Sequence, residues 1–321
     1  MLKAKASCAR MKVTAIINPA SRVGQTSTRV SEIASALAGS GIDAEILLSE
    51  RPLHALEMAR GASAEGHTIL AVGGDGTVNE VVRGILESGT NTALGILPLG
   101  TGNDFARMIG MSEDLPTAVR QLQASQRIKV DIGRVQWKDQ GEEFSTQFVN
   151  AMGIGFDAYA ASLAPRFKRY PLQLGYLAAI LVALHSWKDR QVTVSDLDPT
   201  SSHRFSGELF FITVGNARDS GGGYTINPKA SIVDGLLDVC LVRSLHKLRA
   251  LRMLPSARTG SHLEYDEVQY WHSTGIRIDS ERGLPIHTDG EIQSLNATDV
   301  VIKVDSGALN VIVPVDKIDD I

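Results

Sequence analysis

The sequence predicts two domains, an α/β domain followed by a β-rich, sandwich-like domain. Three observations support this fold class. The chain has 321 residues, and single hydrophobic cores stop growing near about 250–300 residues. Strand-like and helix-like segments alternate up to about residue 130. Beyond that point strand-like runs follow one another, with turn signals between them and only one or two helices.

The first part of the chain alternates β-branched runs with helix-length segments. We expect strands at 13–18, 44–49, 67–72 and 93–98, and helices at 27–37, 52–60, 77–86 and 115–123. This alternation is typical of βαβ units, which build a parallel, doubly wound, Rossmann-like sheet.

The second part is predicted to be an antiparallel, sandwich-like domain. Its expected strands lie in the runs RIKVDIGRVQW, EFSTQFVNAMGI, RQVTVSDL, GELFFITVGNA, GLLDVCLVR, GIRIDS, LPIHTDGE and DVVIKVD. The final run, ALNVIVPV, is apolar enough to be a buried strand that returns to the first domain. The predicted domains are therefore 11–133 with 306–321, and 134–305.

Composition excludes several classes of protein. The net charge of −4 argues against a nucleic-acid binder, which normally carries a basic excess. Cys8 and Cys240 belong to no CxxC or Cys/His cluster, so we expect neither a disulfide framework nor a zinc site, and a reducing, cytoplasmic compartment fits.

No segment resembles a signal peptide or a membrane span. The first ten residues lead into no long apolar run, and translation could also begin at Met11. The longest apolar stretch, 172–187, is shorter than the about 20 residues that a spanning helix needs. We interpret it as a helix that is buried or lies at an interface, in a protein that is at most peripheral to a membrane.

The most informative motif is a glycine-rich turn between a buried strand and a helix. Gly73–Gly76 ends the strand, Thr77 opens the helix, and Glu80 would complete a capping box. Free N–H groups at a helix start form an anion site. Asp75 would repel phosphate there unless a cation lay between them, which suggests Mg²⁺. The alternative is a turn that Asp75 merely holds together.

Two further loops strengthen the interpretation as a nucleotide site. The strand at 93–98 ends in Leu99-Gly100-Thr101-Gly102-Asn103, and the first strand ends in Asn18-Pro19. Loops at the carboxyl ends of parallel strands meet in one crevice. The chain has no Walker A motif, no GxGxxG after its first strand, no protein-kinase motifs and no GxSxG.

Asn18-Pro19, GGDGTVNE (73–80) and PLGTGNDFAR (98–107) together resemble the diacylglycerol kinase catalytic-domain family, which includes sphingosine, ceramide and bacterial lipid kinases. The resemblance extends from about Lys12 to Val315. GGDGT is shared with NAD kinases and phosphofructokinase-like enzymes, whereas LGTGNDFAR is more specific to lipid kinases. The family commonly has Gly shortly after Asn-Pro, and this chain has Arg22.

The resemblance implies an ATP- and Mg²⁺-dependent lipid kinase with its active site in the interdomain cleft. Asp75 matches an acidic residue needed for activity, and Asp104 and Asp131 match aspartates in a polar network behind it. The implied nucleotide-binding residues are Asn18, Ser49, Gly73, Gly74, Asp75, Gly76, Thr77, Asn79 and Thr101.

The resemblance also assigns roles in the second domain. Ser231, Asp234 and Leu236 match the metal-binding positions, where Ser231 and Leu236 could ligate through a carbonyl, a hydroxyl or water. Asp289 and Glu291, in HTDGE, are the candidates for the catalytic base. We favour Glu291 for its longer reach, with Asp289 orienting it or helping to hold Mg²⁺. The Asp-Gly pair is also a strong hairpin-turn signal, and both interpretations can hold together.

The acceptor is expected to be a lipid such as diacylglycerol at a membrane surface. Its groove could be lined by Phe156, Tyr159, Phe167, Tyr170, Leu172, Leu174, Tyr176 and Leu177, with Arg166, Lys168 and Arg169 near anionic headgroups. The alternative is that these aromatics are core residues. Competing functions are a kinase of sphingosine-like lipids or of NAD, and a catalytically silent regulator that binds nucleotide or lipid. The oligomeric state, with a homodimer as one option, is left open.

Overall fold

The structure is a computed structural model that describes residues 12–21, 29–167, 170 and 172–321. The positions of Met11, Arg22, Lys168 and Arg169, and the side chains of Leu172 and Tyr176, lie outside the described part. The chain divides into two compact units. Unit 1 comprises the chain up to residue 101, then 110–128 and 309–318, and unit 2 comprises 102–109, 129–308 and 319–321.

Unit 1 is a parallel sheet with helices. Its strands are β1 (Val13–Ile17), β2 (Ala44–Leu48), β3 (Thr68–Gly73) and β4 (Ala93–Pro98). Its helices are α1 (Val30–Gly39), α2 (His54–Ala64), α3 (Asp75–Ser88) and, later in the chain, α5 (Leu115–Gln123). The strand order is β2-β1-β3-β4, and every pairing is parallel. The predicted doubly wound α/β fold is confirmed.

The last strand of the chain, β14 (Glu291–Pro314), contributes its end to the unit 1 sheet. Asn310 pairs with Ala93 and Val311 with Leu94, both in parallel register. Leu309, Val311 and Val313 are buried and share one face of the strand, whereas Asn310 and Ile312 on the other face are half-buried.

Unit 2 is largely antiparallel. Its strands are β5 (Ser125–Asp139), β6 (Glu142–Phe148), β7 (Ala151–Gly155), β8 (Arg190–Asp196), β9 (Arg204–Gly215), β10 (Leu237–Arg243), β11 (Val268–Ser273), β12 (Gly275–Ser280), β13 (Leu284–Thr288) and the first part of β14. Its α-helices are α4 (Asp104–Met108), α6 (Phe156–Leu163), α7 (Leu172–Ser186) and α8 (Lys247–Met253). Short 3₁₀ turns cover Ala164–Phe167, Leu254–Arg258, Ser261–Glu264 and, at the end of the chain, Val315–Asp320.

Six strands of unit 2 form a closed circuit in the order β7-β9-β8-β12-β14-β13. The long strands β9 and β14 each pair with different neighbours along their length, so they pass from one layer to the other. The enclosed core includes Ile212, Val214, Ile286 and Val300. The predicted sandwich-like domain is confirmed.

The prediction of only one or two helices in this region was wrong. Helices α6, α7 and α8 pack together in a second core with Phe210 of β9 and Cys240 of β10. Burial raises the pKa of Cys240 to about 12, so this thiol is a packing group. The strand β11 was not predicted, and the predicted run 143–154 is divided between β6 and β7. No helix in the described part is long and apolar enough to cross a membrane.

Candidate functional site

The glycine-rich turn of unit 1 connects β3 directly to α3. Gly73 is the last residue of β3, Gly74 precedes the helix in extended conformation, and Asp75 is the first helical residue. A Cβ on Gly73 would lie 2.5 Å from Oγ1 of Thr77, so the chain turns too closely there for any side chain. The first helix turn of α3 therefore presents backbone N–H groups beyond a strand end, as an anion site requires.

The predicted capping box was wrong, because α3 begins at Asp75, two residues before Thr77. The Glu80 carboxylate does not return to the start of its own helix. It accepts hydrogen bonds from the N–H groups of Leu53, at 3.1 Å, and Ala55, at 3.2 Å. Glu80 thus caps α2 and fixes the loop after β2, where Leu53 has a positive φ of 64°.

The loops after β1, β3 and β4 contact one another. The Asn18 amide donates to Thr77 Oγ1 over 3.1 Å, and Leu99 N–H donates to the Gly73 carbonyl over 2.8 Å. A Cβ on Gly74 would lie 3.0 Å from Cα of Gly100. These contacts bring together the three loops that the sequence motifs singled out.

The other expected nucleotide residues also belong to unit 1. Ser49 follows β2, is nearly buried, and donates its N–H to the Ile17 carbonyl over 2.9 Å. Asn79 is buried in α3, and Thr101 is exposed at the end of the unit 1 segment. Asp75 is half-buried at the helix start, where the positive end of the helix dipole favours its negative charge.

The predicted metal loop lies in unit 2 and is held by Asp131. Asp131 is 1% exposed, and its two carboxylate oxygens accept the N–H groups of Gly235 and Gly307, each over 2.7 Å. Its own N–H donates to the Ile232 carbonyl. Two of these three bonds, to Ile232 and Gly235, fix the backbone of residues 232–235.

The donor atoms of this loop suit Mg²⁺. Ser231 offers a hydroxyl, exposed Asp234 a carboxylate and Leu236 a carbonyl, all of them oxygen ligands. Oδ1 of Asp234 accepts the N–H of Leu236 over 2.9 Å, which orders the carboxylate beside that residue. Within the described part of the chain no group of three or more His, Cys, Asp or Glu residues could hold a metal. A loop with one carboxylate would therefore rely on waters and phosphate oxygens for its other ligands.

Sequence reasoning missed two residues behind this loop. Asp238 accepts the Tyr270 hydroxyl, and that hydroxyl also accepts the N–H of Lys229 over 3.3 Å. Burial raises the pKa values of both Asp238 and Tyr270. Tyr270 lies on β11, the strand that was not predicted, so no motif could have indicated its contact with the loop.

The Asp289-Gly290 turn joins β13 to β14. Both residues have positive φ, 47° and 84°, as a type I′ hairpin turn requires. The Asp289 carboxylate accepts the N–H groups of Val149, Asn150 and Ala151 over 2.9, 2.9 and 3.1 Å. Asp289 thereby holds the break between β6 and β7, whereas Glu291 is exposed at the first position of β14.

Asp104 belongs to unit 2 and is 5% exposed. It forms an ion pair with Arg107 and accepts the N–H of Gly222 over 2.9 Å. Asp104 thus holds the loop at 221–223, whose three glycines all have positive φ. The two predicted network aspartates, Asp104 and Asp131, each hold a different loop.

The apolar residues expected in a lipid groove divide into two sets. Phe156 is 7% exposed and stacks on Phe210, so this residue belongs to the core. Tyr159 and Phe167 pack against the same core. Exposed side chains occur instead along α7 and just before it, at Tyr170, Leu174, Leu177, Leu181 and Val182.

Comparisons with known proteins agree with this architecture. Residues 12–135 match the family described as "Diacylglycerol kinase catalytic domain", and residues 150–313 match the "YegS C-terminal NAD kinase beta sandwich-like domain". Together the fold and these matches define a lipid kinase. The chain belongs to the diacylglycerol kinase catalytic-domain family, with the C-terminal domain of its YegS-like members.

Curated relatives cover most of the chain. A protein named "Probable lipid kinase YegS-like" from Chromohalobacter salexigens is 33% identical over 74% of this chain and 73% of its own length. A protein named "Diacylglycerol kinase" from Mycobacterium tuberculosis is 30% identical over 87% of this chain and 88% of its own. A crystal structure of a diacylglycerol kinase from Bacillus anthracis str. Sterne has the same fold, with a TM-score of 0.71 and 21% identity over 96% and 98% of the two chains.

Proposed function

We propose that this lipid kinase transfers the γ-phosphoryl of ATP to a hydroxyl of a membrane lipid such as diacylglycerol, with Mg²⁺ as its metal. The observation that carries the proposal is the start of α3, where Gly73 and Gly74 let the chain turn closely against Thr77 and Gly100 and where Asp75 stands in the first helix turn. Backbone donors at a helix start bind phosphate oxygens.

Asn18, Ser49, Thr77, Asn79 and Thr101 would complete the nucleotide site. Contacts among the loops after β1, β3 and β4 support this assignment, because they fix the polar groups before a ligand arrives. Asp75 would act beside the phosphates only with a cation to offset its charge.

Ser231, Asp234 and Leu236 would hold Mg²⁺, together with water and phosphate. When bound, the ion supplies positive charge that neutralises phosphate oxygens. The oxygen-only donor set of residues 231–236 and its anchoring by Asp131 support this role.

Glu291 would be the general base. The acceptor hydroxyl oxygen forms a bond to the γ-phosphorus, the bond from that phosphorus to the β–γ bridging oxygen breaks, and the hydroxyl proton passes to Glu291. ADP leaves. Exposure of Glu291, and the engagement of the Asp289 carboxylate by three backbone N–H groups, favour Glu291 over Asp289 for this task.

An amphiphilic acceptor is supported by the outward face of α7. Leu174, Leu177 and Leu181 lie three or four residues apart and are 58%, 45% and 47% exposed, so they form an apolar stripe. Such a stripe suits contact with acyl chains at a membrane surface. We therefore propose a cytoplasmic enzyme that is peripheral to the membrane.

The test is a transfer assay with labelled ATP and Mg²⁺. Diacylglycerol, sphingosine and a monoacyl lipid are offered in mixed micelles, and NAD in solution, at equal concentrations. We expect transfer to diacylglycerol that stops when EDTA removes the metal. Transfer to sphingosine alone would redirect the proposal to that lipid class, and transfer to NAD without any lipid product would overturn it.

The base assignment is tested by substitution. Glu291→Gln removes the proton acceptor and should lower kcat by at least about a hundredfold, with little change in the KM for ATP. If Glu291→Gln retains kcat while a folded Asp289→Asn loses it, the two acids exchange roles.

A further inference from the structure

His287 is a buried histidine that has no part in the proposed phosphoryl transfer. It lies on β13, is 4% exposed, and precedes the Asp289-Gly290 turn by two residues. Its Nε2 lies 2.9 Å from Oδ2 of Asp157, and its Nδ1 accepts the N–H of Gly290 over 3.3 Å. One imidazole ring therefore connects an aspartate to the turn that precedes Glu291.

The two hydrogen bonds define which ring nitrogen of His287 carries the proton. A backbone N–H can only donate, so Nδ1 of His287 must be the unprotonated nitrogen that accepts from Gly290. The ring proton then belongs on Nε2, where it is donated to the carboxylate of Asp157. In this neutral tautomer both bonds form at once, and the carboxylate fixes the orientation of the ring, as it does for histidines in many active sites.

The surrounding backbone leaves room for this pair. Gly153 on β7 lies opposite His287 in the sheet. A Cβ at Gly153 would lie 2.2 Å from Nε2 of His287 and 2.4 Å from Oδ2 of Asp157. Any side chain at position 153 would collide with both members of the pair, so their close approach depends on glycine there.

Asp157 connects the pair to the helices of unit 2. It lies in the first turn of α6, and α6 packs with α7 in one apolar core. The same α7 carries the exposed apolar stripe. The turn before Glu291 is thus anchored on two sides, through Asp289 to the start of β7 and through His287 to the start of α6.

We propose that Asp157 and His287 are positioning residues that set the direction of Glu291 by holding Gly290. They touch neither phosphate nor acceptor in this scheme, and their effect passes through the turn. The inference rests on the proposed role of Glu291 as the base. A misplacement of about 1 Å in a reacting group can lower a rate by about a hundredfold, so small shifts of the turn would be measurable.

The first experiment compares Asp157→Ala, Asp157→Asn and His287→Gln in the full chain, with diacylglycerol micelles, ATP and Mg²⁺. We expect kcat to fall by about 10–100-fold in Asp157→Ala and His287→Gln, while the KM for ATP stays within twofold. Asp157→Asn keeps an oxygen that can accept from Nε2 and should recover most of the rate. Circular dichroism and thermal unfolding verify that each variant is folded.

A matched control removes a buried histidine far from the turn in the chain. His67 is 7% exposed, lies in unit 1 and bonds Oγ1 of Thr14 through Nδ1 over 2.8 Å. His67→Gln should lower the melting temperature and leave kcat within twofold. An equal loss of kcat in His67→Gln and His287→Gln would mean that the loss of any buried histidine lowers kcat. That result would overturn the inference.

The second experiment combines His287→Gln with Glu291→Gln. If His287 acts only through Glu291, the kcat of the double variant is about as low as that of Glu291→Gln alone. The effects of substitutions on kcat are not additive when the residues act together. Multiplicative losses would show a separate structural effect and overturn the inference.

Failure of the inference is distinguishable from failure of the proposed function. Wild-type protein that phosphorylates no lipid contradicts the proposed function. If Glu291→Gln has a low kcat, while the folded variants Asp157→Ala and His287→Gln keep the wild-type kcat, only the positioning role is wrong. If Glu291→Gln is fast, the pair has no base to position and the inference falls together with that assignment.

Discussion

The two motifs that carry the proposed chemistry are built in opposite ways. At the start of α3 the backbone would provide the binding groups, and side chains such as Asn18 and Thr77 hold the loops around it. At the turn after β13 a side chain, Glu291, would carry the chemistry, and the Asp289 carboxylate accepts three backbone N–H groups. In the proposed scheme aspartate thus serves a ligand in one motif, whereas in the other it holds backbone N–H groups of the fold.

An acid beside glycine in a sequence motif can serve a ligand or the fold. Asp75 and Asp289 both stand beside glycine in a loop, and the family resemblance gives both of them candidate catalytic roles. Their surroundings separate them, because Asp75 is half-buried at a helix start and Asp289 bridges strands.

The largest effect is expected for Asp75→Ala. Loss of the carboxylate beside the phosphates should lower kcat by about 10²–10³-fold and weaken the dependence on Mg²⁺, while the fold stays intact. Glu32→Ala is the matched control, because Glu32 lies in the first turn of α1 and should keep its activity. Near wild-type turnover of Asp75→Ala with unchanged Mg²⁺ dependence would contradict the assignment.

Asp289→Ala should act mainly on stability. Three backbone N–H groups lose a charged acceptor, and the free energy of unfolding should fall by about 3 kcal/mol. Glu291→Ala, one position beyond the turn, should change it by less than about 0.5 kcal/mol because Glu291 is exposed. Urea denaturation of both variants measures the difference, and equal stabilities would remove the contrast between the two acids.

Gly73→Ala tests whether the glycine loop depends on a close backbone approach. The added methyl group would lie 2.5 Å from Thr77 Oγ1, so we expect a loss of about 1–3 kcal/mol in the free energy of unfolding and a higher KM for ATP. Gly61→Ala is the control, since Gly61 in α2 has nothing within 4 Å of a new Cβ. Unchanged ATP binding in Gly73→Ala would show that the loop tolerates a side chain.

The smallest effect is expected for Glu80→Ala. Removing the cap of α2 should cost about 1 kcal/mol of stability and leave kcat within a few-fold, because Glu80 bonds Leu53 and Ala55 rather than the start of α3. Glu57→Ala, which removes an exposed ion pair with Arg51, should change stability less. A larger loss of kcat than of stability would instead connect Glu80 to the nucleotide loop.

Much of unit 1 could be predicted because its signals are local. The strand at 93–98 and the helix at 115–123 match β4 and α5, since β-branched runs and helix periodicity are encoded within a few residues. The capping box failed for the opposite reason. Glu80 has suitable spacing for its own helix start, yet its partners are 25 and 27 residues earlier in the chain.

The sequence by itself determined the fold class, the three glycine- and asparagine-rich loops and the family, because motifs and hydrophobic periods are properties of neighbouring residues. Only the tertiary structure decided which acid stabilises the fold by accepting backbone N–H groups. Asp289 meets Val149, Asn150 and Ala151 across about 140 positions of chain, and His287 meets Asp157 across 130. Hydrogen bonds and packing act over a few ångströms of space, so such partners are invisible until the strands that carry them are paired.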